Sequence, residues 1–386
     1  MIKILLLIDY SSEFCRKLLK GLVRYSKDHG HWIFYRLPSY FNTLYGKEGI
    51  IEWAKEWQAD AIIAQWDDDE GTKLLKQLDI PIILQNYKKR SDFFSNLTGD
   101  YYGTGKMAAK FFAKRRFRNF AFYGNKDVVW SKERAEGFRQ EVERIGGNYY
   151  FFETENLSEE PWGKSFIELD DWLFSLPKPV ALFACDDNFA LQVSEICKIN
   201  NIDIPNDISL LGVDNDELIC NLSDPPISSI VLEVEKGGYE AGRLINQLIN
   251  KERNEPFNII IHPVHFELRQ STEKYDISNS YILEVVKYIE NNFTEELTVD
   301  SLTKIVPLSR RNLEVKFKKE MGTSIYQFIL YCRIEYIAML LLSTNRSLYE
   351  LALESGFNSS INISRIFKRF KGYTPAEFRQ KFKEEK

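Results

Sequence analysis

Ser309–Ser324, SRRNLEVKFKKEMGTS, is followed fifty positions later by Ser359–Thr374, SSINISRIFKRFKGYT. Ser309, Asn312, Leu313, Phe317, Lys318, Lys319, Gly322 and Ser324 recur as Ser359, Asn362, Ile363, Phe367, Lys368, Arg369, Gly372 and Thr374. Each copy has a capping Ser, a basic amphipathic stretch and a Gly stop, which is the grammar of a helix. Duplicating such a helix suits a ligand gripped at two equivalent places, and duplex DNA repeats with every turn.

Working outward, everything from Tyr281 onward has helical periodicity. Tyr281–Asn292 is amphipathic, and Thr298 or Asp300 can cap a helix over Val299–Ile305. Leu308–Ser309 opens the first repeated helix, Arg310–Met321, and Ser359 or Ser360 starts the second. Between them lie Ile325–Leu342, apolar nearly all round and therefore central, and Leu348–Ser355, capped by Ser347. Thr374–Pro375 begins a short last helix, with Pro at its favoured first position. The pattern predicts two helix-turn-helix units joined by a rod, each second helix entering a major groove. Leu313 with Phe317, and Ile363 with Phe367, sit four apart and should be core. The DNA-facing candidates are Ser309, Arg310, Arg311, Glu314 and Lys318 in the first unit, and Ser359, Ser360, Asn362, Arg365 and Lys368 in the second. Arg can read guanine and Asn adenine; Lys318, Lys319, Lys368 and Arg369, further along, suit phosphates or plain solubility. Asn312 and Asn362 occupy equivalent places, and only Asn362 is taken as a reader.

Charge supports a division of labour. The chain has 386 residues and a net charge of −5, yet residues 281–386 carry four more Lys and Arg than Asp and Glu. Five cysteines, Cys15, Cys185, Cys197, Cys220 and Cys332, lie far apart without a CxxC pair. That spacing argues against a disulfide framework or zinc site and fits a reducing cytosol. Met1–Ile8, MIKILLLI, is too short for a signal sequence and reads as a first strand. No later apolar run approaches a membrane span, so no membrane partner is expected.

The first 268 residues alternate strand-like and helix-like runs. Strand candidates are Ile2–Ile8, Trp32–Tyr35, Ala61–Ala64, Ile80–Leu84, Phe120–Tyr123, Tyr149–Phe152, Val180–Ala184, Ile208–Val213, Ser229–Val231, Ile259–Ile261 and Val264–Phe266. Helical stretches include Phe14–Asp28, Thr104–Lys114, Lys132–Ile145, Asn188–Asn200 and Glu235–Asn250. Such alternation predicts an α/β, two-lobed domain with parallel sheets covered on both faces by helices, followed by the all-α domain. Ligands of these sheets sit at the carboxyl ends of the strands. Asp9, Asp67, Asn86, Asp186, Asp187 and Asp214 all follow strands. Any one of them can simply cap a helix, but several carboxylates at one sheet end suit a polyhydroxylated ligand. Trp130 and Arg134, one helical turn apart, add an aromatic face and a fork of donors; they could equally be a packed ring and a surface ion pair.

Other chemistries fit poorly. GDYYGTGKM, Gly99–Met107, lacks the Walker spacing and the Ser or Thr after Lys106. Asp67–Glu70 is a run of acids that cannot all face one cation. His262 and His265, an odd number apart in a strand, would point to opposite faces. GxSxG and HExxH are missing. No enzyme, metal or cofactor is expected.

Leu297–Phe382 resembles the AraC-type DNA-binding domain in SRRNLEVKFKKEMGTS, RIEYIAMLLLST, LALESGFNSS and ISRIFKRFKGYTPAEFR. It departs at Pro307, where Gly is common, and at Thr303, usually Ala. The first 268 residues resemble the LacI/GalR effector domain, itself similar to periplasmic sugar-binding proteins, in WSKERAEGFRQ, FACDDNFAL, ISLLGVDNDEL and PPISSI. The expected division is therefore 1–268 effector domain, 269–280 linker, and 281–386 double helix-turn-helix domain. Together, in this order, the two resemble pentose-operon regulators of the xylose type. That resemblance implies a cytoplasmic, sugar-responsive homodimer that binds operator DNA and activates transcription, with RNA polymerase as a further partner. It places sugar contacts at Arg134, Asp186 and Asp214, and also at Asp9, Asp67, Tyr101 and Trp130. The rivals are a sugar sensor whose helical tail binds a protein, and a sugar-metabolising enzyme.

Overall fold

A computed structural model describes residues 1–37, 40–66, 69–85, 89–154, 162–253, 255–357 and 362–382. Two compact units emerge, Met1–Lys110 with Asn119–Glu273, and Phe111–Arg118 with Lys274–Lys386.

In the first unit the described strands are β1 (Ile2–Leu7), β2 (Trp32–Arg36), β3 (Ala61–Ala64), β4 (Ile82–Leu84), β5 (Ser95–Gly99), β6 (Asn119–Asn125), β7 (Asn148–Thr154), β8 (Val180–Ala184), β9 (Ile208–Val213), β10 (Ser228–Leu232), β11 (Asn258–Ile261) and β12 (Pro263–Glu267). They form two six-stranded sheets, ordered β11-β5-β4-β3-β1-β2 and β12-β10-β9-β8-β6-β7. Pairing is parallel except for β12, which runs antiparallel to β10. The helices are α1 (Glu13–His29), α2 (Tyr40–Glu56, broken at Gly46), α3 (Asp69–Leu75), α4 (Tyr101–Lys114), α5 (Val129–Arg144), α6 (Trp162–Ser175), α7 (Asp187–Ile199), α8 (Glu217–Leu222) and α9 (Val234–Ile249). Near-continuous apolar strands such as Val180–Ala184 and Ile208–Val213 are buried throughout, as sheets covered on both faces require.

Each sheet, with its helices, is one lobe, and the chain crosses between lobes where α4 follows β5, where α9 follows β10, and between β11 and β12. Both crossover helices pack tightly against a helix of the lobe they enter. A Cβ on Gly105 of α4 would lie 2.0 Å from the Arg134 carbonyl oxygen, and one on Gly137 of α5 would lie 2.1 Å from that of Tyr102. Gly21 of α1 and Gly238 of α9 make the matching close approach, with spaces of 1.9 and 2.1 Å. Only glycine allows backbones this near.

Several expectations are corrected. Strand β5, SNLTG, was not foreseen, because its polar residues show no apolar alternation. It is nevertheless buried, and Asn96 Nδ2 donates to the Ser91 carbonyl and to Asn258 Oδ1, both at 2.8 Å. His262 lies between β11 and β12, so it and His265 do not share a strand. Asp100, in the rejected phosphate-loop stretch, accepts from the Gly103 amide and opens α4. The polar stretch after Leu268 is docked at its start: Gln270–Thr272 forms a 3-10 turn in which Ser271 and Thr272 are buried. Ser271 Oγ donates to the Leu210 carbonyl and accepts the Ser228 amide. Polarity there reflects satisfied hydrogen bonds rather than solvent.

The second unit contains α10 (Ser280–Asn292), α11 (Val299–Leu302), α12 (Arg310–Met321), α13 (Ile325–Ser343), α14 (Leu348–Glu354), α15 (Ile363–Lys371) and α16 (Pro375–Phe382). Arg115 belongs to this unit: its guanidinium lies over the rings of Phe111 and Tyr275, at 4.6 and 4.7 Å. The rod α13 is shared between two cores. Ile325, Phe328 and Ile329 pack with Leu313 and Phe317, whereas Ile334, Ile337, Ala338 and Leu341 pack with Ile363 and Phe367. Contrary to expectation, Ile325–Leu342 is long and apolar enough to cross a membrane, with mean hydropathy 1.5 over 18 residues. Its all-round apolarity comes from filling a core on two sides.

Candidate functional site

The carboxyl ends of β8 and β9 bring together three of the predicted residues. Arg134, on the first turns of α5, is buried, and its Nη1 donates to the Cys185 carbonyl at 2.5 Å. Its Nη2 lies 3.7 Å from Asp214 Oδ1. Asp214 directly follows β9 and adopts φ 98°, which turns the chain sharply at the strand end. Arg134 Nε and Asp214 Oδ1 are both buried and, among the described residues, lack a hydrogen-bond partner. Burial raises the Asp214 carboxyl despite the opposing charges of Arg134 and Lys17. Asp186 follows β8 by two residues and caps α7 by accepting the Phe189 amide at 2.9 Å. Burial again dominates and pushes its pKa up to about 6.

Aromatic rings flank the arginine. The Arg134 guanidinium lies 5.4 Å from the ring centres of both Tyr101 and Trp130, within cation–π reach. Asp9 is exposed; its carboxylate accepts from the Ser11 amide and hydroxyl, and its own amide donates to Gln65 Oε1. Asp67 and Asn86 lie outside the described residues. Asp187 is internal: it accepts from Ser229 Oγ and the Asp216 amide at 2.7 and 2.8 Å, so it braces the strand ends.

Sequence reasoning missed the groups that cross from lobe to lobe. Arg16 of α1 donates to Asp216 Oδ2 at 3.1 Å, and Lys17 to the carbonyls of Asp214 and Asn215 at 3.1 and 3.3 Å. The residues directly after β3 and β4 are Gln65 and Gln85, whose side chains hydrogen-bond at 3.1 Å. Strand-end position could have flagged the glutamines, but attention to acids passed over them. A cavity of about 370 Å3 is lined by Arg90, Asp100, Tyr101, Glu133, Asn258 and His262, among others. There the His262 ring, 3.5 Å from Asp100, holds that carboxyl below its usual range.

In the helical unit, the first repeated helix is capped by Ser309, which accepts the Asn312 amide. Leu313, Phe317, Ile363 and Phe367 are fully buried. Arg310, Arg311, Glu314 and Lys318 form an exposed face on α12, though Arg310 is paired with Asp300 and Glu314 at 3.3 and 3.4 Å. The two copies are not equivalent at their starts. Asn312 is inside α12, whereas Asn362 precedes α15 in a left-handed conformation, φ 73°. Asn tolerates that geometry, and it shortens the second helix to Ile363–Lys371. Ser359 and Ser360 lie outside the described residues; Arg365 and Lys368 are exposed on α15. Both helices stop at a left-handed Gly, Gly322 and Gly372.

Residues 109–272 match the model of the periplasmic binding protein-like domain, and residues 302–381 match a helix-turn-helix domain. A xylose operon regulatory protein of Escherichia coli strain K12 is 27% identical over 385 residues, covering 98% of this chain and 96% of its own length. One from Haemophilus influenzae is 28% identical over 386 residues, covering 98% of each chain. The solved structure of the xylose-binding transcription activator XylR superposes with a TM-score of 0.61 at 26% identity, covering 99% of this chain and 98% of that one. Over its whole length the chain is similar to these XylR-type transcription regulators. As in those relatives, a periplasmic-binding-protein-like domain precedes a helix-turn-helix DNA-binding domain, and the regulator is not an enzyme.

Proposed function

We propose that the regulator binds a pentose, of the xylose type, in its interlobe cleft and acts as a cytoplasmic homodimer that activates pentose-catabolism genes. The observation that carries this reading is that Arg134 Nε and Asp214 Oδ1, two buried polar atoms at the carboxyl ends of the strands, have no hydrogen-bond partner among the described residues, although Arg134 Nη2 lies 3.7 Å from that carboxylate oxygen. Buried polar groups rarely stay unpaired, and a ring bearing vicinal hydroxyls supplies both an acceptor for the arginine and a donor for the carboxylate. Asp186 would take a further hydroxyl, Trp130 and Tyr101 would border the C–H faces, and Asp9 and Asp67 would act from the other lobe. The names of the full-length relatives support the sugar.

Ligand favours closure only through its greater affinity for the closed form. Closure would alter the pairing of two chains and so the placement of their helix-turn-helix domains on an operator, where RNA polymerase is then engaged. Arg311, Glu314 and Lys318 of α12, and Arg365 and Lys368 of α15 with Asn362 before it, would face the DNA; Ser309 and Arg310 would do so from the start of α12, and Ser359 and Ser360 from the segment before Asn362.

Thermal melting against a panel of pentoses and hexoses tests the ligand. A pentose is expected to raise the melting temperature of the native chain and to have no effect on Asp214→Ala. No shift with any sugar, or an undiminished shift in the variant, would sink the reading.

A further inference from the structure

Arg90 lies between β4 and β5, in the lobe of the first sheet, and its Nε donates to Thr98 Oγ1 on β5 at 2.9 Å. Its two remaining nitrogens reach across to α5 in the other lobe and meet the two oxygens of Glu133 at 2.5 and 2.7 Å. An arginine with all three nitrogens engaged has one orientation, and a fork-to-fork pair fixes its partner as well. Both side chains are about one-third exposed (34% and 33%), so the ion pair itself contributes modestly.

Its importance lies in what it is attached to. Glu133 immediately precedes Arg134 on α5. The Arg90 guanidinium also lies 5.8 Å from the Tyr101 ring centre, and Tyr101 is followed in turn by Arg134 and Trp130, each at 5.4 Å from the last. Cation and aromatic therefore alternate four deep, from a loop of one lobe to a helix of the other. In the sequence Arg90 simply ends the basic run Lys88–Lys89–Arg90.

We infer that Arg90 is a positioning residue, an interlobe latch that grips Glu133 and thereby sets the Tyr101–Arg134–Trp130 stack in place. It acts through that stack rather than on the ligand. The inference rests on the cleft being the sugar site, but closure of the lobes can be followed without sugar.

The test uses the full chain with spin labels at Lys20→Cys on α1 and Glu195→Cys on α7, in a Cys332→Ser background. Without sugar, Arg90→Gln and Glu133→Gln are each expected to lengthen and broaden the interlobe distances. The double variant should be no worse than either single one, and the exchange Arg90→Glu with Glu133→Arg should restore the native distribution. With pentose, each single variant should raise the apparent Kd about fivefold. The exchanged pair should recover affinity, which it could not do if Arg90 touched the sugar directly. Unchanged distances in the single variants, additive losses in the double, or failure of the exchange would overturn the latch. A native chain that binds no pentose would instead remove the proposed ligand, leaving the distances to decide the latch.

Discussion

One oxygen of Asp186 accepts the Phe189 amide at the start of α7, and burial holds its pKa near 6. Because that value lies above the ordinary 3.8, the fold prefers the protonated acid. Its contribution to stability is complete below the unfolded value and is lost as pH rises through about 6. Asp186→Asn keeps the cap and removes the charge. It is expected to flatten the fall in melting temperature between about pH 4 and 6 in sugar-free protein; a slope identical to the native one would show that Asp186 ionises without cost. On the DNA side, Arg365 is exposed and, unlike Arg310, is paired with no carboxylate among the described residues. Arg365→Ala should weaken specific operator binding by about 1–3 kcal/mol while non-specific binding falls much less. Equal losses in a gel-shift titration would make it a phosphate contact.

Among elements, the crossing of α4 and α5 is the most demanding. Alanine normally favours a helix over glycine, but at Gly105 the added carbon would meet a backbone oxygen at 2.0 Å. Gly105→Ala is therefore expected to destabilise the chain by about 1–3 kcal/mol in denaturant unfolding, and a stabilised variant would mean the crossing has room for a methyl group. Elements of this kind show what a sequence reveals. Strands such as Val180–Ala184 and Ile208–Val213 were legible to the residue, because an unbroken apolar run between turns has few other homes. The repeat in α12 and α15 was legible for the same reason: its core positions keep helical spacing. Strand β5 was not, since its buried Asn96 and Ser95 are satisfied in part by residues more than 160 positions away. At the site, acids after strands were found, yet Lys17 and Arg90 were hidden. Their roles come from which lobe they reach, and a linear pattern of charge carries no such information.

For the molecule as a whole, charge is partitioned between a strongly acidic sensor and a basic reader, despite the net value of −5. Affinity for DNA should then fall steeply with salt, log K declining linearly with log salt concentration as counterions are released from the phosphates. A flat profile measured on the full chain would argue that the basic helices do not meet the phosphate backbone. The same partition explains why overall composition is a poor guide here: the acidic sensor masks the reader's excess of Lys and Arg.

Helix α13 has one further implication. Its 19 residues make a bar about 28 Å long, with a core clamped on each half, and Arg369 and Lys371 of α15 tie to Gln327 and Glu335 along it. The gap between the two repeated helices is therefore a machined dimension, set by the bar that both cores grip. A promoter that gains a single base pair between its two contacted blocks turns the second block by about a tenth of a revolution, and the bar has no joint with which to follow it.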